Sequence, residues 1–172
     1  MQSPHDTTTL IEPERPLYIV EIGMARLDVI KRLNRVIFDE ERVINTFKRE
    51  DLLMLLASLG DEPVGFKIGY RESRDTFYSA KGGVLEAYRR HGISRRLLYA
   101  MIERIRHKGY RKLAYDTFPN MHPGMTVMGL EEGFRVTRAD YNPTYKDFRL
   151  RFEKKISASE SRSDSEIRTR RR

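Results

Sequence analysis

The chain has 172 residues, enough for one domain with a core and short tails, and its 33 Lys and Arg against 25 Asp and Glu leave a net charge of +8. With no cysteine there is no disulfide framework, thiol nucleophile or thiolate metal site, and the four histidines (His5, His91, His107 and His122) show no ligand spacing, so no metal is expected. No apolar segment opens the chain as a secretory signal would, and the longest aliphatic run, Leu52 to Ala57, is six residues against the ~20 of a membrane span, so a soluble, cytoplasmic protein without a membrane partner is expected.

In chain order, residues 1–16 hold a threonine run and three prolines with little to bury, and read as a flexible leader. Leu17 to Ile22 reads as a short strand. From Met24 the apolar positions Leu27, Ile30, Leu33, Ile37 and Phe38 follow helical spacing, and a second short helix is expected through Val43 and Phe47. Periodicity alone leaves Leu52 to Leu59 open between buried helix and buried strand. The turn signal Gly60-Asp61-Glu62-Pro63, followed by the strand-like Val64 to Tyr70, favours a hairpin.

A further strand is expected from about Thr76 to Glu86. The period then changes: Ile93, Leu97, Leu98, Met101, Ile102 and Ile105 line one face of a helix that Gly109 ends. Leu113 to Thr117 reads as a strand and Gly124 to Glu132 as a helix stopped by Gly133, with Met121, Met125 and Met128 as its core residues. Two last strands follow, near Phe134 to Tyr141 and Tyr145 to Lys154. Residues 156–172, rich in Ser and Arg, read as a disordered basic tail, which leaves 17–155 as the single α/β domain, a mixed sheet flanked by helices.

The positive charge is localised. Nine cations and one acid lie between Arg89 and Lys112, so the rest of the chain is neutral, with 24 cations against 24 acids. Within that window a strand ends, a basic turn with one glycine follows, and a helix begins. Free N–H groups and the positive end of the dipole at a helix start form an anion site, and guanidinium groups suit phosphate oxygens. No GxxxxGKS/T or GxGxxG pattern is present, so neither a Walker loop nor a dinucleotide fingerprint supplies the anion.

The turn Arg89-Arg90-His91-Gly92-Ile93-Ser94 resembles that of the GNAT superfamily of acyl-CoA-dependent N-acetyltransferases: Arg or Gln, two residues, Gly, one residue, then Gly or Ala. Serine stands here for the last small residue. The resemblance extends to Val84 on the preceding strand and to Gly133-Phe134 after a short helix, and covers roughly residues 17 to 155. It implies a GNAT-type, mostly antiparallel mixed sheet flanked by helices, in an acyltransferase that moves an acetyl group from acetyl-CoA to a small amine, or to an exposed amine of a larger molecule, by direct attack in a ternary complex. It further implies that backbone groups of Val84 and Leu85 hold the pantetheine arm and that Arg89, Arg90, His91, Gly92, Ile93, Ser94 and Arg95 surround the pyrophosphate.

The chain departs from the family at the tyrosine that protonates the leaving thiolate, whose position is Gly129, and near Tyr78, where several relatives carry a base glutamate. Catalytic candidates therefore come from the expected sheet centre: Glu86 and Asp116 as carboxylate bases, and Tyr78, with Tyr115, Asn120 and His122 nearby. Two rivals remain. One is a CoA-binding regulatory module without turnover, consistent with Gly129. The other treats the basic window as a nucleic-acid surface, which is disfavoured because no exposed aromatics are interleaved with the cations. The acceptor, and whether the chain forms a homodimer, are left open.

Overall fold

The computed structural model describes residues 15–157. Seven strands form one sheet in the order β1-β2-β3-β4-β5-β7-β6: β1 Leu17–Glu21, β2 Leu53–Leu59, β3 Glu62–Arg71, β4 Thr76–Val84, β5 Lys112–Thr117, β6 Arg135–Asn142 and β7 Asp147–Lys155. All neighbours pair antiparallel except β4 and β5. Three helices flank the sheet: α1 Leu27–Phe38, α2 Ile93–His107 and α3 Pro123–Glu131. The sequence thus yields the expected mixed, mostly antiparallel α/β architecture, and the ambiguous Leu52–Leu59 run is a strand in a hairpin.

Each face of the sheet has its own core. The stripe Leu97, Leu98, Met101, Ile102 and Ile105 of α2 packs with Leu53, Leu55, Phe77, Leu113 and Phe152. On the opposite face, Val29, Ile30 and Leu33 of α1 meet Met54, Leu56, Phe66 and Ile68. Fully burying one such side chain contributes ~1.5–3 kcal/mol, so both helices are fixed by their apolar stripes more than by intrinsic propensity. Successive residues of β2 and β3 consequently enter different cores, and both strands are buried along most of their length.

Several expectations are corrected. No helix runs through Val43 and Phe47; α1 ends where Asp39 turns left-handed, with its N–H on the Arg35 carbonyl at 2.9 Å, and the segment continues as irregular chain with Val43 still buried. β4 ends at Val84, so Glu86 lies on a short 3-10 turn, Glu86–Tyr88. β7 begins only at Asp147. The leader expected over 1–16 falls outside the described residues except at its end, where Arg15 pairs with Glu62 at 2.6 Å and the Pro16 carbonyl accepts the Gly60 N–H. The tail expected over 156–172 likewise falls outside them except at Ile156 and Ser157, and Ile156 is buried in the α2 core.

Candidate active site

The parallel strands β4 and β5 are paired only over Thr76–Tyr78 and Lys112–Ala114. Beyond that point they diverge: β4 stays on β3 through Val84, and β5 stays on β7 through Thr117. The divergence opens a cleft of about 370 Å³, lined by Ser79 to Gly83 on one side and Tyr115 to Phe118 on the other. Ser94 and Leu97 of α2 and Met125 and Met128 of α3 also border it.

The β4 backbone has an open edge here. The Leu85 N–H is taken by the Val64 carbonyl at 2.8 Å, so strand alternation turns the polar groups of Gly82 and Val84 away from β3, toward the cleft. Leu85, expected to offer its backbone to a ligand arm, thus has no free amide, whereas the backbone of Gly82 faces the cleft. β4 also carries an extra residue: Ile68 pairs with Lys81 and Gly69 with Ser79, which leaves Ala80 bulged beside the divergence.

The basic turn lies at the mouth of a second, adjoining hollow of about 410 Å³, lined by Val84, Arg89, Arg90 and Gly92 to Arg95, with Gly124 and Met128 across from them. Gly92 is the N-cap of α2 at φ 75°, a left-handed conformation that admits glycine without strain. The first N–H to bond back into α2 is that of Arg96, to the Gly92 carbonyl at 3.0 Å, so the N–H groups of Ile93, Ser94 and Arg95 precede the helical ladder. Only part of the arginine group is available to an anion. Arg89 Nε donates to the Val84 carbonyl at 3.0 Å, and Arg95 is bound to Glu131 and Glu132 of the α3 end. Arg90 and Arg96 are exposed, without an ion pair among the described residues. His91 is exposed and donates from Nδ1 to the Arg89 carbonyl at 2.8 Å, which fixes the turn.

A strand ending in an open-edged cleft, followed by a glycine-capped anion turn, is the arrangement against which residues 38–119 find their match in the family model described as an acetyltransferase (GNAT) domain. That stretch is similar to a GNAT acetyltransferase domain. The structure is similar to that of the ribosomal-protein-S18-alanine N-acetyltransferase from Escherichia coli, at 16% identity and a TM-score of 0.71 over 86% of this chain and 98% of that one. It is similar to the IAA acetyltransferase from Bacillus cereus, at 21% identity and a TM-score of 0.71 over 82% and 100%. A third likeness is to a GNAT family acetyltransferase from Elizabethkingia anophelis with acetyl-CoA bound, at 18% identity and a TM-score of 0.68 over 81% and 98%. No curated protein matches the sequence significantly. The fold is that of these acetyltransferases.

Within this fold the three catalytic candidates separate. Asp116 lines the cleft from β5; its Oδ2 accepts the Tyr78 hydroxyl at 3.1 Å, while its buried Oδ1 has no hydrogen-bond partner and lies 4.0 Å from Arg151. Tyr78 does not border the cleft. It faces a polar hollow with Tyr70, Arg49 and Arg151, which Asp116 also borders, and burial together with the neighbouring Asp116 raises its phenol well above the ordinary range, so it stays a neutral donor. Tyr78 therefore orients Asp116. Glu86 is exposed on the 3-10 turn and borders neither hollow, so the structure does not bring it to the other two.

The α3 side of the cleft differs from expectation as well. Met121 is exposed, and Met125 and Met128 line the cleft instead of only filling a core. Tyr115 is stacked on Phe152, with ring centroids 5.1 Å apart, and donates its hydroxyl to the Met125 carbonyl at 2.9 Å. That hydroxyl occupies the space beside Gly129, where a Cβ would stand 1.9 Å from it. His122 and Tyr145 also border the cleft, whereas Asn120 holds Asp147 at 2.7 Å.

One cleft residue was missed. Lys67 is 7% exposed on β3 and borders the cleft, and burial alone pushes its amine down to about 8. Its sequence signal was a single lysine between Phe66 and Ile68, which alternation assigns to a solvent face; the sheet has no solvent face there.

Proposed function

We propose that the protein transfers an acetyl group from acetyl-CoA to a primary amine by direct attack within a ternary complex. The observation that carries this reading is the continuity of the two hollows: a glycine-capped anion turn leads past the open edge of β4 into a cleft that holds the Asp116 carboxylate. Backbone groups of Gly82 and Val84 receive the pantetheine amides, and the N–H groups of Ile93, Ser94 and Arg95 receive the pyrophosphate, with Arg90 and Arg96 adding attraction. Asp116 takes the proton of the acceptor amine, held in place by Tyr78. The acceptor is a small amine or an exposed amine of a larger molecule, and the setting is cytoplasmic.

A nucleic-acid role for the basic window is disfavoured by its ion pairs. Arg104 lies 3.6 Å from Glu21, Lys108 3.5 Å from Asp51 and Lys112 3.2 Å from Glu153, so much of the positive charge is answered within the fold. The second reading, a CoA-binding module without turnover, is favoured by one observation: α3 presents no side chain to the cleft at Gly129, and the Tyr115 hydroxyl beside it is bonded to a carbonyl.

Calorimetric titration with acetyl-CoA, beside duplex DNA over a salt series, tests binding; a thiol-release screen over polyamines, aminoglycosides, amino acids and peptide amino termini tests transfer. Binding with thiol release from at least one amine is expected. Saturable binding without release from any acceptor supports the regulatory module, and a salt-steep response to DNA alone overturns both.

A further inference from the structure

The α2 face of the cleft contains an unusual placement. Lys67 pairs across strands with Leu55 on one side and Gly82 on the other, and so shares the α2 face of the sheet, whose core includes Leu55, Leu97 and Tyr115. A Cβ on Gly82 would stand 3.3 Å from the Lys67 side chain, so the glycine leaves the lysine room beside the open edge of β4. Among the described residues Lys67 has no ion-pair or hydrogen-bond partner, although it is buried. An unanswered ammonium in such a place costs several kcal/mol unless it loses its proton or a ligand brings negative charge to it. The other titratable groups bordering the cleft do not answer it. Lys81 is paired with Glu40 over Phe38, Asp116 is bonded to Tyr78, Tyr115 to a carbonyl, and His122 and Tyr145 come from the loops at its far side.

Acyl transfer from a thioester develops negative charge first on the carbonyl oxygen and then, as the carbon–sulfur bond breaks, on the departing sulfur. We propose that Lys67 is the acid of this transfer, delivering its proton to the sulfur of the leaving thiol. The inference rests on the acetyl-transfer reading above. In the step, the acceptor nitrogen bonds to the acyl carbon, the carbon–sulfur bond breaks with its electron pair leaving on sulfur, Lys67 Nζ gives that sulfur a proton, and the proton shed by the nitrogen passes to Asp116. Two chemical facts suit the lysine to the task. Its amine, at about 8, is close to the ~8.5 of an ordinary thiol, so the transfer is nearly balanced in either direction. As a cation it also stabilises the thiolate before the proton moves, which a neutral hydroxyl does less well.

The test uses the full chain with coenzyme A, followed by the ultraviolet absorbance of its thiolate, and acetyl-CoA turnover with any amine that supports it. In the wild type the thiol of bound coenzyme A is expected to ionise at least one pH unit below that of the free molecule, a shift absent in Lys67→Met. Lys67→Met is expected to lose ~100-fold or more in kcat with KM for acetyl-CoA within about threefold. Lys67→Arg keeps the charge but is a poor acid, and should retain the thiolate shift while losing turnover. Should Lys67→Met not fold, the wild-type titration decides alone. A bound thiol that titrates like the free one, or a Lys67→Met enzyme within threefold of wild-type kcat, overturns the assignment while leaving acetyl transfer intact. Failure of both coenzyme A and acetyl-CoA to bind removes the two readings together.

Discussion

The Tyr115 hydroxyl stands where a side chain at position 129 would begin: a Cβ built on Gly129 comes within 1.9 Å of it. β5 and α3 thus share one volume, and the strand has filled it. Substituting Gly129→Ala forces Tyr115 out of its stack on Phe152 and off the Met125 carbonyl. Overpacking of this kind costs ~1–3 kcal/mol. Urea unfolding should show that loss in Gly129→Ala, and a Tyr115→Leu background should remove most of it, giving a coupling energy for the pair. Additive losses would mean that the two positions do not compete for space.

On the proposed mechanism, in which the Asp116 carboxylate accepts the amine proton, Asp116→Asn is expected to lower kcat by ~100-fold or more while acetyl-CoA binds as in the wild type, because Asp116 does not border the anion turn. Tyr78→Phe should fall between, since it loosens Asp116 without removing it. Glu86→Gln should remain within threefold of wild type. A large loss in Glu86→Gln with a silent Asp116→Asn would reverse the assignment.

At the anion turn, Gly92→Val places a β-branched residue at φ 75°, where ~1–2 kcal/mol of backbone strain is expected together with weaker acetyl-CoA binding. Arg90→Ala and Arg96→Ala should weaken binding more at low salt than at high salt. Arg95→Ala should act chiefly on thermal stability, because its guanidinium joins α2 to Glu131 and Glu132 at the α3 end. Calorimetry at two ionic strengths, beside melting curves, separates the two behaviours.

Lys67 makes stability depend on pH in an uncommon direction. In the unfolded chain its amine titrates at the ordinary lysine value of 10.5, and burial in the folded chain pushes it down to about 8. Between those values the unfolded state holds a proton that the native state lacks, so stability rises with pH across this window, and below it the buried charge is a constant burden. The full difference is of order 3 kcal/mol. Denaturation of wild type and Lys67→Met between pH 7 and 10 should give a variant that is the more stable of the two at pH 7, with the advantage shrinking as pH rises. A difference that does not vary with pH would show that the lysine is not buried as a cation.

Much of this was legible in the sequence because it is local. The α2 stripe, the glycine that opens that helix and the turn that closes the β2–β3 hairpin depend on neighbours a few residues away, and Gly92 and Gly60 do adopt positive φ. What escaped depends on distant partners. Glu86 looked like a strand residue, but the 3-10 turn swings it into solvent once β4 runs out of pairing with β3. The Arg95 guanidinium looked free for a phosphate, but α3, some 36 residues on, supplies it with two carboxylates. Lys67 escaped because alternation reports which residues share a face; it does not report whether that face is covered, and here α1 and α2 cover both.

The short pairing between β4 and β5 also has a mechanical meaning. Strand pairing joins the panel of β1 to β4 to the panel of β5 to β7 over just three residue pairs, Thr76 to Tyr78 with Lys112 to Ala114, beside side-chain bonds such as Tyr78 to Asp116. The sheet is two leaves on a narrow hinge, braced by the helices on its faces. A ligand arm lying along Gly82 and Val84 would act as a splint between the leaves, so occupancy should be readable as slowed amide exchange at those two residues and, across the cleft, at Tyr115 to Thr117.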